Sequence, residues 1–259
     1  MRENAITAKK EDEHSFIMRP AAASTYDTWA DIQMLAAQKV SELFPIKMCP
    51  TNILEIGCGT GYLSKHIVQY FPHSRILLTD ISPDMLQQCS RKFGLFTNVS
   101  FEVMDGETIQ IVPYFDLIVS SMTLHWFSRP KETFCRLKKA LHSGGHFVFS
   151  TLGPSSLREW RQAGLACGID LGIRDFIPQQ LCRESFPEIN LHMHTLRQPY
   201  NDSWHFLSTL KNVGGTAAQK GHLPVSPVQL KRAMRALDSQ NTDGVFITYD
   251  ILCGCWKKP

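Results

Sequence analysis

The sequence lacks any long apolar segment. None of its hydrophobic runs approaches the ~20 residues that a membrane-spanning helix requires. The first 14 residues carry too many charged side chains to contain the apolar part of a secretion signal. We therefore expect a soluble, cytoplasmic protein that does not bind a membrane.

Closely spaced cysteine pairs and a strong net charge are also missing. The 8 cysteines include no C-x-x-C pair, so neither a disulfide framework nor a zinc site is expected. His192 and His194 would share one face of a strand, but no acidic or cysteine partners lie near them, so we predict no metal. Twenty-seven Lys and Arg against 24 Asp and Glu give a net charge of only +3, too weak to indicate nucleic-acid binding.

What the sequence does contain is a glycine-rich turn between residues 52 and 63. The apolar run 53–56 leads into Gly57, Gly59 and Gly61, and an amphipathic segment follows over 62–71. This order is typical of a buried strand, a tight turn and a helix. Glycine permits positive φ and lets a ligand approach bare backbone. Because the first N–H groups of a helix lack partners, the turn should bind something polar.

Apolar runs and helical patterns alternate along the chain. Strands are predicted at 53–56, 75–79, 99–104, 115–120 and 146–150, followed by two more near 191–199 and 245–256. Helical patterns are predicted at 16–43, 62–71, from 82 onward, up to a stop signal at 143–145, in short pieces within 154–188, and at 203–213 and 228–237. This alternation predicts an α/β fold with a doubly wound, seven-stranded, mostly parallel sheet and a helical cap. We expect a tail and helical lid in residues 1–45, a ligand-binding core in 46–152, and cap insertions with the last two strands in 153–259, all in one domain.

Acidic residues accompany the first three predicted strands. Glu55 lies within the first strand, Asp80 ends the second, and Asp105-Gly106 follows the third. In open parallel sheets ligands bind outside the carboxyl ends of the strands. There Asp80 can accept hydrogen bonds from ribose hydroxyls, and Asp105-Gly106 can contact an adenine edge. These loops contain no Lys or Arg, which favours a cationic nucleoside over a phosphate-bearing ligand.

The spacing of the glycines argues against a dinucleotide. The turn reads G-x-G-x-G, whereas a dinucleotide site requires G-x-G-x-x-G so that helix and strand can pack closely. An NAD dehydrogenase is therefore the least favoured function.

These motifs, with Phe115 to Ser120, resemble those of the class I S-adenosylmethionine-dependent methyltransferases over about residues 53–150. The resemblance implies S-adenosylmethionine as cofactor, with the loop glycines at its methionine moiety, Asp80 at ribose, Asp105 at adenine and Met85 packed on the adenine face. It also places candidate cofactor contacts at Glu55, Gly57, Cys58, Gly59, Gly61, Ile81, Gly106 and Ser120.

Further stretches are similar to one subfamily, the malonyl-acyl-carrier-protein O-methyltransferases of biotin synthesis. They are the segment Phe16-x-x-Arg19 with Ala21-Ala22-Ala23-x-x-Tyr26, the loop 120–126, the strand exit 149–159 and the tail 248–256. The loop departs from the family at His125, where Gln is frequent. The resemblance implies methyl transfer to the free carboxylate of a malonyl thioester on acyl carrier protein. Because that carboxylate is already ionised, no strict general base is expected.

Tyr26, His125 and Trp126 are the candidates for positioning the substrate. Arg19 would bind either the carboxylate of the cofactor or that of the substrate. Structural roles remain open for these side chains: Tyr26 as a packing residue of the lid, His125 as a helix cap, and Trp126 as a packing residue.

Two groups of basic residues are candidates for docking an acidic carrier protein. One is Lys231, Arg232 and Arg235, on the outer side of a helix whose Leu230, Ala233, Met234 and Leu237 face inward. The other is Arg158, Arg161, Arg174 and Arg183. Either group would otherwise be a solvated surface.

Two other functions remain open. One is a methyltransferase of the same fold that acts on another small acid or metabolite. The other is a methyltransferase-like assembly partner without catalysis, against which the intact Glu55, loop glycines and Asp80 count. A monomer is compatible with the sequence.

Overall fold

A computed structural model of the chain describes residues 26–45, 47–110, 112–215, 222–240 and 244–259. Within them, seven strands of one sheet alternate with α-helices. The strands are β1 (Asn52–Ile56), β2 (Arg75–Asp80), β3 (Val99–Val103), β4 (Phe115–Ser121), β5 (Leu141–Leu152), β6 (Asn190–Tyr200) and β7 (Val245–Lys257). The helices are α1 (Asp31–Ser41), α2 (Tyr62–Tyr70), α3 (Pro83–Phe93), α4 (Pro130–Ala140), α5 (Arg158–Ala166), α6 (Gln179–Ser185), α7 (Ser203–Asn212) and α8 (Pro227–Asp238).

The sheet has the order β3-β2-β1-β4-β5-β7-β6. Strands β1 to β5 pair in parallel, and β7 pairs antiparallel with both β5 and β6. The predicted seven-stranded, mostly parallel, doubly wound sheet is confirmed. The chain reverses its direction of travel across the sheet between β1 and β4, and such a switch point opens a crevice at the carboxyl ends of the two strands.

Helices bury both faces of the central strands. Ile53 and Leu54 point to opposite faces of β1, and each is 0% exposed. Helices α1, α2 and α3 cover one face over β1 and β2, while α4 and α6 cover the other. Helices α5, α7 and α8 form the cap and pack with one face of β7. Within the described ranges, no helix is both long and apolar enough to span a bilayer.

Two local signals in the sequence give the expected starts of helices. Ser82 caps α3 by accepting a hydrogen bond from the Met85 N–H, and Pro83 occupies the first turn. Ser226 and Gln229 form a capping box at α8, whose Ala233 and Leu237 are buried. Short-range patterns therefore define where these helices begin.

The structure corrects two predicted boundaries. A helix was predicted over 16–43, but in the described part of that range α1 begins only at Asp31. The preceding residue, Ala30, has φ −100° and ψ 31°, which is not a helical conformation. The signal at 143–145 does not end a helix, since α4 ends at Ala140 and Leu141 already pairs with Phe115. Gly144 instead takes a φ of +77° in an irregular start of β5, where the register shifts between residues 115 and 117.

Candidate active site

The three glycines of the turn after β1 differ in what lies next to them: two face protein side chains and one faces open space. Gly57, Gly59 and Gly61 have φ angles of +70°, +55° and +97°. A Cβ on Gly57 would lie 2.2 Å from Thr123 Oγ1, and one on Gly61 would lie 2.4 Å from Phe93 Cε2. A Cβ on Gly59 would meet no protein atom within 4 Å. Gly59 is thus the position where a ligand can approach bare backbone, whereas the other two glycines accommodate neighbouring side chains.

Asp80 ends β2 and faces this turn. Its Oδ2 accepts a hydrogen bond from the Gly59 N–H and its Oδ1 one from the Ser82 N–H, both at 2.8 Å. Burial raises the pKa of Asp80, and these backbone donors oppose that shift. A carboxylate offers about four lone-pair sites, so Asp80 is held in place and can still accept hydrogen bonds from ligand hydroxyls.

Glu55 lies beneath the turn and is 1% exposed. Ser64 Oγ donates to its Oε2 at 2.5 Å. Burial raises the pKa of Glu55 well above its usual range, with the Cys89 thiol adding to the shift. A positively charged ligand bound nearby would favour the ionised form of Glu55 and so oppose this shift.

A crevice with a cavity volume of about 150 Å³ opens at the carboxyl ends of β1 and β4. The described residues that line it include four carboxyl side chains and neither Lys nor Arg. The predicted contacts among them are Glu55, Gly57, Cys58, Gly59, Asp80, Ile81, Met85, Asp105 and Gly106. The structure thus brings most of the predicted cofactor residues to one place and adds a fourth carboxyl group, that of Glu107.

Two of the predicted cofactor residues, Gly61 and Ser120, do not line this crevice. Gly61 packs against Phe93 instead. Ser120 is 0% exposed and its hydroxyl donates to the Ile56 carbonyl, so the following residue, Ser121, lines the crevice. Arg19 lies outside the described residues.

A second cavity of about 620 Å³ adjoins the crevice. The two share the lining residues Tyr26, Gln33, Met122, Trp126 and Val213. Most of the remaining wall is apolar and comes from the cap, including Leu157, Trp160, Leu171, Phe176, Leu207, Leu210, Leu230 and Met234. Among the described lining residues there is no Asp or Glu, and the permanent cations are Arg174 and Lys211.

The three predicted substrate-positioning residues lie at or beside the junction of the two cavities. Tyr26 and Trp126 line both, and His125 lines the second. The His125 ring makes an edge contact with Phe176, and its Nδ1 lies 3.5 Å from Thr151 Oγ1. Burial, with a smaller effect of Arg174, lowers the pKa of His125 to about 3. His125 is therefore neutral at physiological pH.

The predicted lid is described only from Tyr26 onward, and this part contacts the glycine turn. Asp27 follows Tyr26 in a 3₁₀ turn, Tyr26–Thr28. Its carboxylate accepts hydrogen bonds from Thr60 Oγ1 at 2.5 Å and from Lys92 Nζ at 2.6 Å. These contacts hold Tyr26 over the crevice, and the lid residues before it lie outside the described residues.

Sequence reasoning missed several lining residues. Gln33 comes from α1, and Val213 with Gly214 follows α7. None of these positions belongs to a short motif, and they reach the crevice only through the tertiary packing of α1 and of the cap. Met122 and Thr123 lie in the loop that the sequence singled out, where Met122 takes a φ of +54°, but no specific role was predicted for them.

The two histidines considered as metal ligands lie on β6, and His192 is exposed there. In the described part of the chain, no group of three or more His, Cys, Asp or Glu residues could hold a metal ion.

Comparison with known proteins finds a methyltransferase family model and relatives that match most of this chain. A family model described as a methyltransferase domain matches residues 54–147. A malonyl-[acyl-carrier protein] O-methyltransferase of Magnetococcus marinus is 32% identical over 243 residues, which cover 91% of this chain and 89% of that protein. The biotin biosynthesis bifunctional protein BioCD of Bordetella avium is 32% identical over 242 residues. That match covers 92% of this chain but 51% of BioCD, so the chain spans about half of its length.

Among solved structures, the N-methyltransferase NodS of Bradyrhizobium japonicum in complex with S-adenosyl-L-homocysteine has the same fold. It superposes with a TM-score of 0.51 at 14% identity, covering 89% of this chain and 88% of NodS. The methyltransferase-domain match contains β2 to β4 and the carboxyl end of β1, and the carboxyl ends of these strands form the crevice. Since the identity to the Magnetococcus marinus protein extends over nearly the whole of both chains, this chain belongs to the malonyl-[acyl-carrier protein] O-methyltransferase family.

Proposed function

We propose that this methyltransferase transfers a methyl group from S-adenosylmethionine to the free carboxylate of a malonyl thioester on acyl carrier protein, an early step of biotin synthesis. The observation that carries the proposal is the pair of adjoining cavities with opposite charge. Carboxyl groups line the first, and the described lining of the second contains none. A cationic methyl donor fits the first cavity and an anionic acceptor fits the second.

The lining of the crevice supports S-adenosylmethionine as the cofactor. Four carboxyl groups without Lys or Arg among the described lining residues favour a sulfonium over a phosphate. Asp80 would accept hydrogen bonds from the ribose hydroxyls, Met85 and Asp105 would contact adenine, and Glu55 and Gly59 would lie at the methionine end. When bound, the cofactor supplies an electrophilic methyl group.

The acceptor needs to be oriented rather than activated. A malonyl carboxylate is ionised at neutral pH, and His125, with a pKa of about 3, is a poor proton acceptor. The apolar wall of the second cavity would exclude water from the carboxylate. Holding two reactants in the correct geometry contributes roughly 7–11 kcal/mol to lowering a barrier, and we assign that role to Tyr26 and Trp126 at the junction.

The carrier protein is proposed to dock beside the mouth of the second cavity. Trp204 of α7 lines this cavity and is 70% exposed, so the cavity opens towards solvent there. The neighbouring helix α8 lines it with Leu230 and Met234 and presents Lys231 and Arg235 to solvent. Complementary charge would attract an acidic carrier. A cytoplasmic location remains a prediction from the sequence.

A transfer assay tests this function. The purified protein is incubated with S-adenosylmethionine labelled in the methyl group and with malonyl-carrier, succinyl-carrier or free malonate. We expect label to enter malonyl-carrier as an ester that alkali releases as methanol. The matched control is Gly59→Ala, whose added methyl group occupies space at the crevice without meeting a protein atom.

Two outcomes would contradict the proposal. Labelling of malonyl-carrier by the wild type that does not exceed the background without enzyme would show that malonyl-carrier is not the acceptor. Labelling of free acids alone would favour the second candidate, a methyltransferase for another small acid.

A further inference from the structure

The second cavity carries a positive charge away from bulk solvent. Of its two permanent cations, Lys211 is exposed and Arg174 is half-buried. The guanidinium of Arg174 lies 5.2 Å from the centroid of the Trp126 ring. Burial lowers the pKa of Arg174. A cation that is partly removed from water attracts an anion more strongly than one on the surface.

The backbone that carries Arg174 is fixed by its neighbours. Arg161 on α5 donates hydrogen bonds to the carbonyl oxygens of Ile173, at 3.2 Å, and of Arg174. Its guanidinium also lies 5.8 Å from the ring centroid of Phe176, which is buried. Arg174 therefore projects from an ordered wall, and less conformational entropy is lost when it binds a ligand.

The contact with Trp126 places Arg174 near the junction of the two cavities. The Trp126 ring lines both cavities, and the guanidinium lies against it. An anion bound by that guanidinium would therefore sit next to the opening into the crevice. A guanidinium fork uses two of about four lone-pair sites of a carboxylate, so a carboxylate bound there retains lone pairs that can accept a methyl group.

We propose that Arg174 binds the free carboxylate of the acceptor and thereby makes the enzyme select an ionised acyl group over its ester. The proposal rests on the methyltransferase function above and adds the residue that recognises the acceptor. Methylation removes the negative charge that Arg174 binds, so the same contact distinguishes substrate from product.

Binding measurements test this role without requiring turnover. The dissociation constants of malonyl-pantetheine and of its methyl ester are measured with S-adenosylhomocysteine present, for the wild type, Arg174→Gln, Arg174→Lys and the control Lys131→Gln, which changes an exposed lysine of α4. We expect the wild type and Lys131→Gln to prefer the acid by roughly 10- to 100-fold, as for a charge-assisted contact. Arg174→Gln should bind acid and ester about equally, and Arg174→Lys should fall between them.

The affinity for S-adenosylhomocysteine shows whether the variants are folded and keep an intact crevice. We expect Arg174→Gln to retain it, while its KM for malonyl-carrier rises and its KM for S-adenosylmethionine does not. An unchanged preference for the acid in Arg174→Gln would overturn the proposal. Loss of S-adenosylhomocysteine binding together with acid binding would also overturn it, because Arg174 would then be structural.

This result is independent of the transfer assay. If the wild type never labels malonyl-carrier but its preference for the acid depends on Arg174, the anion site is real and the acceptor has been misassigned. If malonyl-carrier is labelled and the preference does not depend on Arg174, only the role of Arg174 is wrong.

Discussion

Single residues in the glycine turn have different tasks, and substitutions can tell them apart. An alanine at Gly57 or at Gly59 must adopt a positive φ, which costs about 1–2 kcal/mol. At Gly57 the new Cβ would also lie 2.2 Å from Thr123 Oγ1, whereas at Gly59 it meets no protein atom within 4 Å. Overpacking of this kind costs typically ~1–3 kcal/mol. We expect Gly57→Ala to lower the melting temperature more than Gly59→Ala.

The affinity for the cofactor should depend on Gly59, because the space next to its Cα is open to a ligand. Gly59→Ala is expected to reduce the affinity for S-adenosylhomocysteine despite its smaller loss of stability, and calorimetric titration with thermal unfolding measures both. Equal melting temperatures for the two variants would mean that Thr123 moves aside and that packing does not require Gly57.

His125 should make the stability of the protein depend on pH. Its pKa is about 3 in the folded protein, because of burial and of Arg174, against 6.5 as the ordinary value. The unfolded chain therefore binds a proton below pH 6.5 that the folded chain does not. The stabilisation present above pH 6.5 is lost as the pH falls towards 3, by at most about 1.4 kcal/mol per pH unit.

The variant His125→Gln isolates this effect, because the other histidines are the same in both proteins. Urea unfolding at pH 7 and at pH 5 should show a smaller loss of stability for His125→Gln than for the wild type. Parallel losses would show that the His125 ring is accessible to protons in the folded state.

Among the elements, the 3₁₀ turn Tyr26–Thr28 contacts the glycine turn that follows β1. Burial opposes ionisation of Asp27, but hydrogen bonds from Lys92 and Thr60 lower its pKa. The side chains of Lys92 and Asp27 are 43% and 47% exposed, so the pair contributes at most about 1 kcal/mol. We expect Asp27→Ala to weaken S-adenosylhomocysteine binding about two- to fivefold, because Tyr26 is then less firmly held.

Salt provides a second readout for this turn. The difference between the wild type and Asp27→Ala should shrink in 0.5 M NaCl, because exposed charges are screened. Lys39→Gln, which removes the exposed Lys39–Glu42 pair on α1, is the control and should bind as the wild type does. An Asp27→Ala variant with wild-type affinity would show that the turn does not contribute to the crevice.

The sequence predicted these elements well where the signals were local. Ser82-Pro83 defines the start of α3, and the apolar runs define the strands, because both depend on neighbouring residues. The signal at 143–145 misled because a glycine suits a bulge at the start of a strand as well as the end of a helix. The α1 boundary lies at Ala30, whose backbone is not helical, and no periodicity of the sequence reveals this.

In the candidate site, too, residues in local sequence patterns could be predicted and residues brought in by tertiary packing could not. Most of the predicted cofactor residues that line the crevice follow strands and could be located from spacing and strand order. Gln33, Val213 and Arg174 come from α1 and from the cap, and they reach the cavities only through tertiary packing. Arg174 was predicted only as part of a basic surface, because the sequence does not show that Trp126 lies beneath its guanidinium.

For the whole molecule, the extended sheet explains how two cavities come to lie side by side. Strands β7 and β6 continue the sheet beyond β5, so the cap helices α5, α7 and α8 lie beside the methyltransferase core. Ile251 packs with α8 on one face of β7, and Leu252 packs with α4 on the other. These two helices therefore cover opposite faces of the sheet, which provides a matched control for carrier docking.

Charge reversal on α8 should reduce activity on the carrier without affecting the site. We choose Lys231→Glu with Arg235→Glu and spare Arg232, because its Nη2 donates to the Cys167 carbonyl at 3.5 Å and its loss could disturb α5. The KM for malonyl-carrier should rise roughly tenfold at low salt, since complementary surface charge mainly speeds association. Turnover of malonyl-pantetheine should not change.

The control reverses Lys131 and Lys139 on α4, which are exposed on the other face of the sheet. It changes the net charge by the same amount, so a general electrostatic effect would appear in both variants and a docking effect only in the α8 variant. Raising the ionic strength should bring the wild type towards the α8 variant, because screening removes the attraction that the substitutions remove. Equal losses on malonyl-carrier and malonyl-pantetheine would mean that α8 supports the cavity wall and does not dock the carrier.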